Sequence, residues 1–479
     1  MPHLRVLPMF LFLLSLIAPS LTHAREYCQS LSAGLDRIVS ATNSKVNVGL
    51  VVKSVKTGQT YYSKNADRYF TPASVQKLFT VASALITLKP NFQFFTRLLS
   101  NGTLRGDVLY GNLIIQFTGD PTLTKQQLNN LIKKLSDVGI RKIVGNIIID
   151  NSAYNHVPYP AGWAWDDLSF DYAAPLDSII VDRNRFGLTL IPSKQLGRHP
   201  QLIPHLPAGA ATFYNEAITA RRPCPLKILS NEKNQYLIKG CLSRSTKKIG
   251  QSLAIRNVEM YAKSLVRALM LKNHIMITGK ILTQKKPPNA TLLAEHASPP
   301  LRQLIVHLLK KSDNIYADTL VKKMGQHHSN GPGSWENGLQ AMLPILQKYA
   351  GINTGKLHLM DGAGLSRYNL ITPHHLSLLL HYIAHNPMLR DTLIPALPIA
   401  GVDGTLAYRM STLARGKVLR AKTGSMDGVA TLAGYVKTKH YGSLSFVIML
   451  NNVPKNRYPY ICLENRIAEF LAKAPPPCR

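Results

Sequence analysis

The sequence predicts an α+β protein of at least two domains, and three observations support this. The chain has 479 residues, more than one ordinary domain holds. Most of residues 95–290 have the pattern of short strands separated by turns, whereas apolar residues at helical spacing return after residue 295. Three strand patterns follow one another between residues 418 and 451, before a last helix over 458–472. Such blocks of strands and helices are typical of α+β chains.

The first 24 residues have the pattern of a secretory signal sequence. His3 and Arg5 give a basic start, the run from Pro8 to Leu21 is almost wholly apolar, and Ala24 is a small residue suited to cleavage. The alternative is a single membrane anchor, but the apolar run is short for a bilayer span. We therefore expect export and removal of residues 1–24.

The remaining elements are predicted from apolar periodicity and turn residues. Helical spacing predicts helices over residues 29–41, 124–138, 301–310, 315–324 and 373–384. Strand patterns cover residues 46–54, 59–63, 143–150, 418–424, 430–436 and 444–451. The stretch Lys285-Lys286-Pro287-Pro288-Asn289 is the clearest break between the strand-rich and helical regions.

The composition indicates an exported protein that works among anionic polymers. The chain has 57 Lys and Arg against 25 Asp and Glu, a formal net charge of +32. Such a balance suits nucleic acid or another polyanion, but export argues against nucleic acid. The alternative is that the charge serves solubility alone.

The five cysteines show no zinc-binding spacing, and outside the cytoplasm they can form disulfides. Cys224 and Cys241 are close in sequence, so we predict a disulfide between them. Cys28 and Cys478 could join the two ends of the chain. The odd count leaves at least one thiol unpaired within a monomer.

The candidate nucleophile lies in the stretch Thr71-Pro72-Ala73-Ser74-Val75-Gln76-Lys77, which precedes a long apolar helix pattern. Because Pro72 suits a helix start, Ser74 and Lys77 should lie one turn apart on one face. A serine hydroxyl needs a base to take its proton, and a lysine kept neutral by burial can do so. The helix N-terminus adds partial positive charge where an oxyanion would form. Alone the motif is weak, because Ser-x-x-Lys occurs twice more in polar stretches.

Two further motifs follow in a fixed order and strengthen the assignment. Ser312-Asp313-Asn314 lies between two predicted helices, and Lys422-Thr423-Gly424 lies on a predicted strand. With Ser74-x-x-Lys77, they form the motif set of penicillin-binding proteins and class A β-lactamases.

The residues around the motifs resemble those of one family. They are Lys310 to Thr319, Asp361-Gly362-Ala363-Gly364-Leu365-Ser366-Arg367, Gly401-Val402-Asp403-Gly404-Thr405-Leu406 and Ala421-Lys422-Thr423-Gly424-Ser425, with Gly119-Asp120-Pro121, Gly162 to Asp167 and Val181-Asp182-Arg183-Asn184 in the middle of the chain. The family is the class C low-molecular-mass penicillin-binding proteins, the D-alanyl-D-alanine carboxypeptidase/endopeptidases of the penicillin-binding protein 4 type.

The resemblance implies a β-lactamase/transpeptidase-like domain, an antiparallel sheet between helix layers, interrupted by a large strand-rich insertion after the nucleophile helix. We place the catalytic domain at residues 25–94 plus 291–479 and the inserted module at 95–290. The implied setting is the periplasm, the implied substrate peptidoglycan, and β-lactam antibiotics would be covalent inhibitors. No cofactor, metal or nucleic acid is expected, and the sequence gives no oligomeric state.

Residue roles follow from the same resemblance. Ser74 attacks the D-Ala–D-Ala carbonyl and Lys77 takes its proton, while Lys422 helps to keep Lys77 neutral. Ser312 relays a proton to the leaving amine, and Asn314 holds the substrate amide. The remaining implied substrate-binding residues are Lys422 and Thr423 for the terminal carboxylate, Gly424 beside them, and the backbone N–H groups of Ser74 and Ser425 as the oxyanion hole.

The resemblance also suggests a site for the donor peptide of a cross-link. Diaminopimelate presents an ammonium and a carboxylate on one D-centre, so a reader of that centre needs one acid and one base. We expect the inserted module to bring Asp150 and Tyr154 over the active site, where Arg367 and Asp427 complete the pocket. Asp150 would meet the ammonium and Arg367 the carboxylate.

Several alternatives stay open. A serine β-lactamase or esterase uses the same fold, but no Glu-x-x-Leu-Asn stretch follows Ser74 to supply a deacylating glutamate. A catalytically idle wall-binding protein is disfavoured by the complete motif set. Ala363 stands where serine is expected, which argues against a catalytic side chain there. Two minor candidates are a metal site at His374, His381 and His385 and a sugar groove at Trp163 and Trp165, and for both the simpler explanation is favoured: a histidine-rich helix surface and side-chain packing.

Overall fold

The computed structural model describes residues 30–42 and 44–477. Its α-helices are α1 (Leu31–Ser40), α2 (Lys77–Leu88), α3 (Lys125–Asp137), α4 (Val258–Lys272), α5 (Leu301–Lys311), α6 (Asn314–Ser329), α7 (Trp335–Ala350), α8 (Pro373–His385), α9 (Pro387–Ala396) and α10 (Tyr458–Ala472). The helices predicted in these places are confirmed to within a few residues. Thr124 and Thr372 begin α3 and α8 by accepting a backbone N–H bond three residues on. Among the described residues, no helix is long and apolar enough to cross a membrane.

The strands are more numerous and mostly short. They are β1 (Asn47–Ser54), β2 (Thr60–Lys64), β3 (Phe95–Ser100), β4 (Thr103–Arg105), β5 (Val108–Tyr110), β6 (Leu113–Phe117), β7 (Lys142–Val144), β8 (Ile147–Asp150), β9 (Arg185–Ile191), β10 (Gln201–Pro204), β11 (Thr212–Ala220), β12 (Lys227–Ser230), β13 (Gln235–Ser243), β14 (Ile249–Ala254), β15 (Met276–Ile277), β16 (Ile281–Thr283), β17 (Thr291–Ala297), β18 (Leu419–Met426), β19 (Val429–Lys437) and β20 (Ser443–Asn451). The single strand expected over 143–150 is wrong. Gly145 and Asn146 divide it into β7 and β8, which belong to different sheets.

The sheet that carries the third motif joins both ends of the chain. Its order is β18-β19-β20-β1-β2, and every neighbouring pair is antiparallel. Successive side chains of a strand face opposite sides. Leu432 in β19 therefore packs into a core with α1 and α10, whereas Ala433 packs into a core formed by α2 and α5 to α9. The predicted antiparallel sheet between two helix layers is confirmed.

The strands β3 to β17 lie between α2 and α5 in the sequence and form four further sheets. Their orders are β16-β8-β6-β3-β17, β15-β7-β5-β4, β10-β9-β14 and β11-β13-β12. Together with α3 and α4 they enclose a separate apolar core. β17 pairs with β3 although it begins after residue 290, so the strands of this region pass the expected boundary. The division into a module of 95–290 and a catalytic domain stays a prediction.

The cysteine predictions have different outcomes. Cys224 and Cys241 form a disulfide with their Cα atoms 5.0 Å apart, as expected. Cys462 is a half-buried free thiol. Cys28 and Cys478 lie outside the described residues, as does the signal sequence over 1–24.

Candidate active site

The nucleophile segment enters its helix through a tight turn. Residues Ala73–Gln76 form a 3₁₀ turn and α2 begins at Lys77; Ala73, the first residue of the turn, has a left-handed φ of +48°. In a 3₁₀ turn, side chains three residues apart eclipse each other. Lys77 therefore lies over Ser74, with its Nζ atom 3.0 Å from Ser74 Oγ.

Lys77 is fully buried, and three acceptors surround its amine. Besides Ser74 Oγ, these are Asn314 Oδ1 and the Ala363 carbonyl oxygen, each 2.7 Å from Nζ. A neutral amine has two protons, which the last two acceptors take. Its lone pair then points at the Ser74 hydroxyl, which is the arrangement a general base requires.

Burial lowers the pKa of Lys77 to about 8, against the opposing charges of Asp318, Asp361 and Asp313. Lys422 is also fully buried, and its pKa is well below its usual value because of burial and then the charge of Lys77. The expected repulsion between the two lysines thus lowers chiefly the pKa of Lys422. A pKa of about 8 lets Lys77 lose its proton near physiological pH at a small free-energy cost, and the lowered pKa of Lys422 favours its neutral amine as well.

The second and third motifs meet at Lys422. Its Nζ atom donates to Ser312 Oγ at 2.8 Å and to the Thr423 carbonyl at 2.7 Å. Ser312 ends α5 in the left-handed conformation, with φ of +57°, and this turns its hydroxyl towards the strand. Thr423 Oγ1 lies 2.7 Å from Thr405 Oγ1, in the loop between α9 and β18. The amine of Lys422 and the hydroxyls of Ser312, Thr423 and Thr405 therefore lie together in the active site.

The carbonyl that holds Lys77 belongs to a loop organised by Asp361. The Asp361 carboxylate accepts hydrogen bonds from the backbone N–H groups of Gly364, Leu365 and Ser366 at 2.7–2.9 Å. The buried Asp318 carboxylate accepts the N–H of the neighbouring Gly362 at 2.9 Å. Ala363 acts through its backbone here, which agrees with the expectation that its side chain has no catalytic part.

Strand β18 passes directly beside the nucleophile. A Cβ atom placed on Gly424 would lie 2.8 Å from the Ser74 backbone nitrogen, closer than real Cβ contacts allow. Only glycine fits this approach. Ser425, the next residue, is exposed on the cleft wall. The oxyanion hole expected from the backbone nitrogens of Ser74 and Ser425 stays a prediction.

A cleft of about 400 Å³ opens over Ser74. It is lined by Ser74, Asp167, Tyr172, Ser312, Asn314, Gly364, Leu365, Arg367, Ser425, Met426, Asp427 and Arg457. The lining carries charges of both signs, from Asp167, Asp427, Arg367 and Arg457, and we call these four residues the zwitterionic wall. The structure thus brings the three motifs together around one cleft that has a zwitterionic wall.

A sequence model of the D-Ala-D-Ala carboxypeptidase 3 (S13) family matches residues 31–473. The chain belongs to this family. The D-alanyl-D-alanine carboxypeptidase DacB of Haemophilus influenzae is 37% identical over 410 residues, which are 85% of this chain and 85% of the relative. This S13 membership confirms the resemblance and makes the protein a serine-type carboxypeptidase.

Solved structures agree with the S13 assignment. The crystal structure of penicillin binding protein 4 from Haemophilus influenzae gives a TM-score of 0.86 at 34% identity, covering 92% of this chain and 99% of that one. The same protein complexed with a β-lactam gives a TM-score of 0.80 at 33% identity over the same shares. The β-lactamase/transpeptidase-like fold predicted from the sequence is confirmed.

Two residues expected in the donor pocket of this S13 enzyme lie elsewhere. Asp150 is 1% exposed at the end of β8, where its carboxylate accepts bonds from Gln116 and the Ser152 N–H. Tyr154 is equally buried, with its hydroxyl against Thr319. Neither is among the residues that line the cleft over Ser74. The structure corrects both placements.

Asp167 and Tyr172 occupy the wall that was expected to hold Asp150 and Tyr154. The Tyr172 hydroxyl donates to the Asp167 carboxylate at 2.7 Å. The stretch from Gly162 to Asp167 was noted only for its resemblance to the family, and no pattern in it singles out one acid. Arg457, at the start of α10, carried no sequence signal at all.

The expected partners Arg367 and Asp427 do line the cleft. Arg367 Nη1 donates to the Asp427 carbonyl at 2.5 Å, which joins the loop after Ser366 to the end of β18. The two tryptophans considered for a sugar groove differ. Trp163 donates its indole N–H to the Asp361 carboxylate at 2.9 Å and so helps to hold the Asp361 loop, whereas Trp165 is 74% exposed.

In helix α8, which contains His374, His381 and His385, histidine rings contact each other. The His381 and His385 rings lie 4.2 Å apart. Over residues 30–42 and 44–477, no three His, Cys, Asp or Glu side chains are grouped so that they could hold a metal ion.

Proposed function

We propose that this S13 enzyme is a periplasmic serine D,D-peptidase that hydrolyses the D-Ala–D-Ala bond of peptidoglycan stem peptides through an acyl-enzyme on Ser74. One observation carries the proposal. Lys77 Nζ lies 3.0 Å from Ser74 Oγ and 2.7 Å from both Asn314 Oδ1 and the Ala363 carbonyl, so that a neutral amine would give its two protons to the last two and turn its lone pair to the Ser74 hydroxyl.

Acylation begins when Ser74 Oγ attacks the carbonyl carbon and its proton passes to Lys77. A base with a pKa near the working pH transfers protons most efficiently, and the lowered pKa of Lys77 meets this condition. The developing oxyanion would be stabilised by the N–H groups of Ser74 and Ser425 and by the adjoining 3₁₀ turn.

The leaving amine departs on the side of Ser312. The Ser312 hydroxyl accepts a bond from Lys422 and can give its own proton to the leaving nitrogen, and the proton that Lys77 took from Ser74 makes good that loss, so that both groups return to their starting state. Lys422 and the hydroxyls of Thr423 and Thr405 offer hydrogen bonds to the terminal carboxylate of the substrate. Water then hydrolyses the acyl-enzyme.

The zwitterionic wall supports endopeptidase activity on cross-links. The D-centre of diaminopimelate carries an ammonium and a carboxylate, and Asp167 and Arg367 supply the matching charges in one cleft. Asp167 takes the role that the sequence suggested for Asp150. The basic composition suits a location in the periplasm among anionic wall polymers.

A labelled penicillin tests the nucleophile. The β-lactam carbonyl presents the same electrophile, so the label should map to the peptide that contains Ser74 and should vanish in Ser74→Ala. The matched control is Ser245→Ala, which alters an exposed Ser-x-x-Lys and should label normally. Labelling that survives Ser74→Ala would sink the assignment.

Digestion of purified muropeptides with mass analysis tests the substrate. Loss of one D-Ala from pentapeptides marks carboxypeptidase activity, and conversion of cross-linked dimers to monomers marks endopeptidase activity. Rapid turnover of penicillin, in place of a long-lived acyl-enzyme, would instead favour the β-lactamase alternative.

A further inference from the structure

A strained turn in the inserted region approaches the catalytic loop. Asp182, Arg183 and Asn184 are three consecutive residues with left-handed φ angles of 49°, 60° and 51°, although none is glycine. Such backbone persists only where its surroundings hold it. The buried Asn184 side chain holds it here, since its Nδ2 atom donates to the Ile179 carbonyl at 2.9 Å and its Oδ1 accepts the Val181 N–H.

The turn directs Arg183 at the middle residue of the second motif. Arg183 Nη1 lies 3.1 Å from Asp313 Oδ2, and Arg185 Nη2 lies 4.0 Å from the same oxygen. Asp313 is largely buried, which raises its pKa, but the His307 hydrogen bond and the two arginine charges outweigh burial and leave the pKa below its usual value. Asp313 is therefore an ionised group held by two arginines of the inserted region and by His307 of α5, whose Nε2 atom lies 3.2 Å from the same oxygen.

The position of Asp313 makes this pairing unusual. Asp313 is the residue before α6, where an aspartate ordinarily caps the helix by accepting a backbone N–H. Its side chain makes no such bond here. The carboxylate turns to the arginines instead, although Ser312 and Asn314 on either side of it are the residues that contact Lys422 and Lys77.

A second contact, with the cleft residue Tyr172, holds the loop of Ser312 to Asn314. Asn314 Nδ2 donates to the Tyr172 carbonyl at 2.7 Å. Arg185 joins both connections, because its Nη1 atom lies 3.0 Å from Asp171, the neighbour of Tyr172. The segment that places Asp167 and Tyr172 in the cleft is thus tied to the loop of Ser312 to Asn314 by a network of four charged residues, Arg183, Arg185, Asp171 and Asp313.

We propose that Arg183 is a positioning residue for acylation, which acts through Asp313 to hold the Ser312 hydroxyl and the Asn314 amide within reach of the two lysines. This rests on the proposed function. Arg183 itself does not line the cleft over Ser74. It should therefore affect the rate of bond formation much more than the binding that precedes it.

Stopped-flow acylation by a reporter penicillin separates the two quantities, the dissociation constant of the first complex and the acylation rate constant. Arg183→Gln removes the charge but keeps a long polar side chain, and we expect the rate constant to fall about 10- to 100-fold, as for a misplacement of order 1 Å. Arg183→Lys should recover part of the rate, since it keeps the charge but lacks the planar fork. The matched control is Lys125→Ala, whose side chain pairs with Asp182 in the same turn at 3.4 Å and should leave the rate unchanged.

A double-mutant cycle assigns the effect to the pair. In an Asp313→Asn background, Arg183→Gln should change the rate little, because their contact is already lost. Wild-type acylation is measured first, so a failure of the proposed function shows there and a failure of this inference shows only in the variants. Wild-type acylation rates in both Arg183→Gln and Arg183→Lys would overturn it, as would a loss confined to the dissociation constant or to the melting temperature.

Discussion

Gly424 is where β18 passes closest to the nucleophile, and alanine there should impair catalysis through geometry alone. The added Cβ would lie 2.8 Å from the Ser74 nitrogen and 2.2 Å from Thr431 Oγ1. Thr431 cannot yield easily, because it is buried and donates to the Pro72 carbonyl at 2.9 Å. Relieving the closer contact requires a displacement of roughly 1 Å, and a misplacement of that size costs about 100-fold in rate.

The assay is penicillin acylation by stopped flow, with thermal melting measured in parallel. We expect Gly424→Ala to fold, with a loss of about 1–3 kcal/mol from overpacking, and to acylate about 100-fold more slowly. Gly250→Ala in β14 is the control, since a Cβ atom added there would have no heavy atom within 4 Å apart from its chain neighbours. A Gly424→Ala protein that acylates at the wild-type rate would show that β18 adapts without moving Ser74, and would refute the reasoning.

Two further predictions concern the general base Lys77 and the cleft residue Asp167. A lysine is neutral above its pKa, so the acylation rate should rise with pH through about 8 as Lys77 loses its proton; a flat profile between pH 6 and 9 would contradict this role. Asp167→Asn should lower kcat/KM for diaminopimelate peptides by a factor that corresponds to about 1.5–3 kcal/mol, but should spare a plain D-Ala–D-Ala peptide. The exposed neighbour Asp166→Asn is the control, and equal losses on both peptides would give Asp167 a structural role.

The sequence was sufficient to predict which motifs meet around Ser74, because their chemistry needs particular side chains and the three motifs stand in the order typical of the family. It did not predict the Ala363 carbonyl as a partner of Lys77, since any residue type supplies a carbonyl and only the fold of the Asp361 loop places this one. It also predicted Asp150 as the acid of the donor pocket, whereas Asp167 is the acid that lines the cleft. Which acid reaches the cleft depends on how the inserted sheets pack.

Strand β20, which pairs with β1, also holds the segment before the nucleophile, and this bears on when the enzyme could act during the proposed export. Asn451, at the end of β20, donates to the Thr71 carbonyl and accepts its N–H at 2.8 Å, across 380 residues of sequence. Contacts of such long sequence separation form late in folding. If this chain crosses a membrane from its N-terminus, as we propose, Ser74 emerges early but the backbone beside it is fixed only when the last strand arrives. The topology would then keep the hydrolase latent until translocation is almost complete.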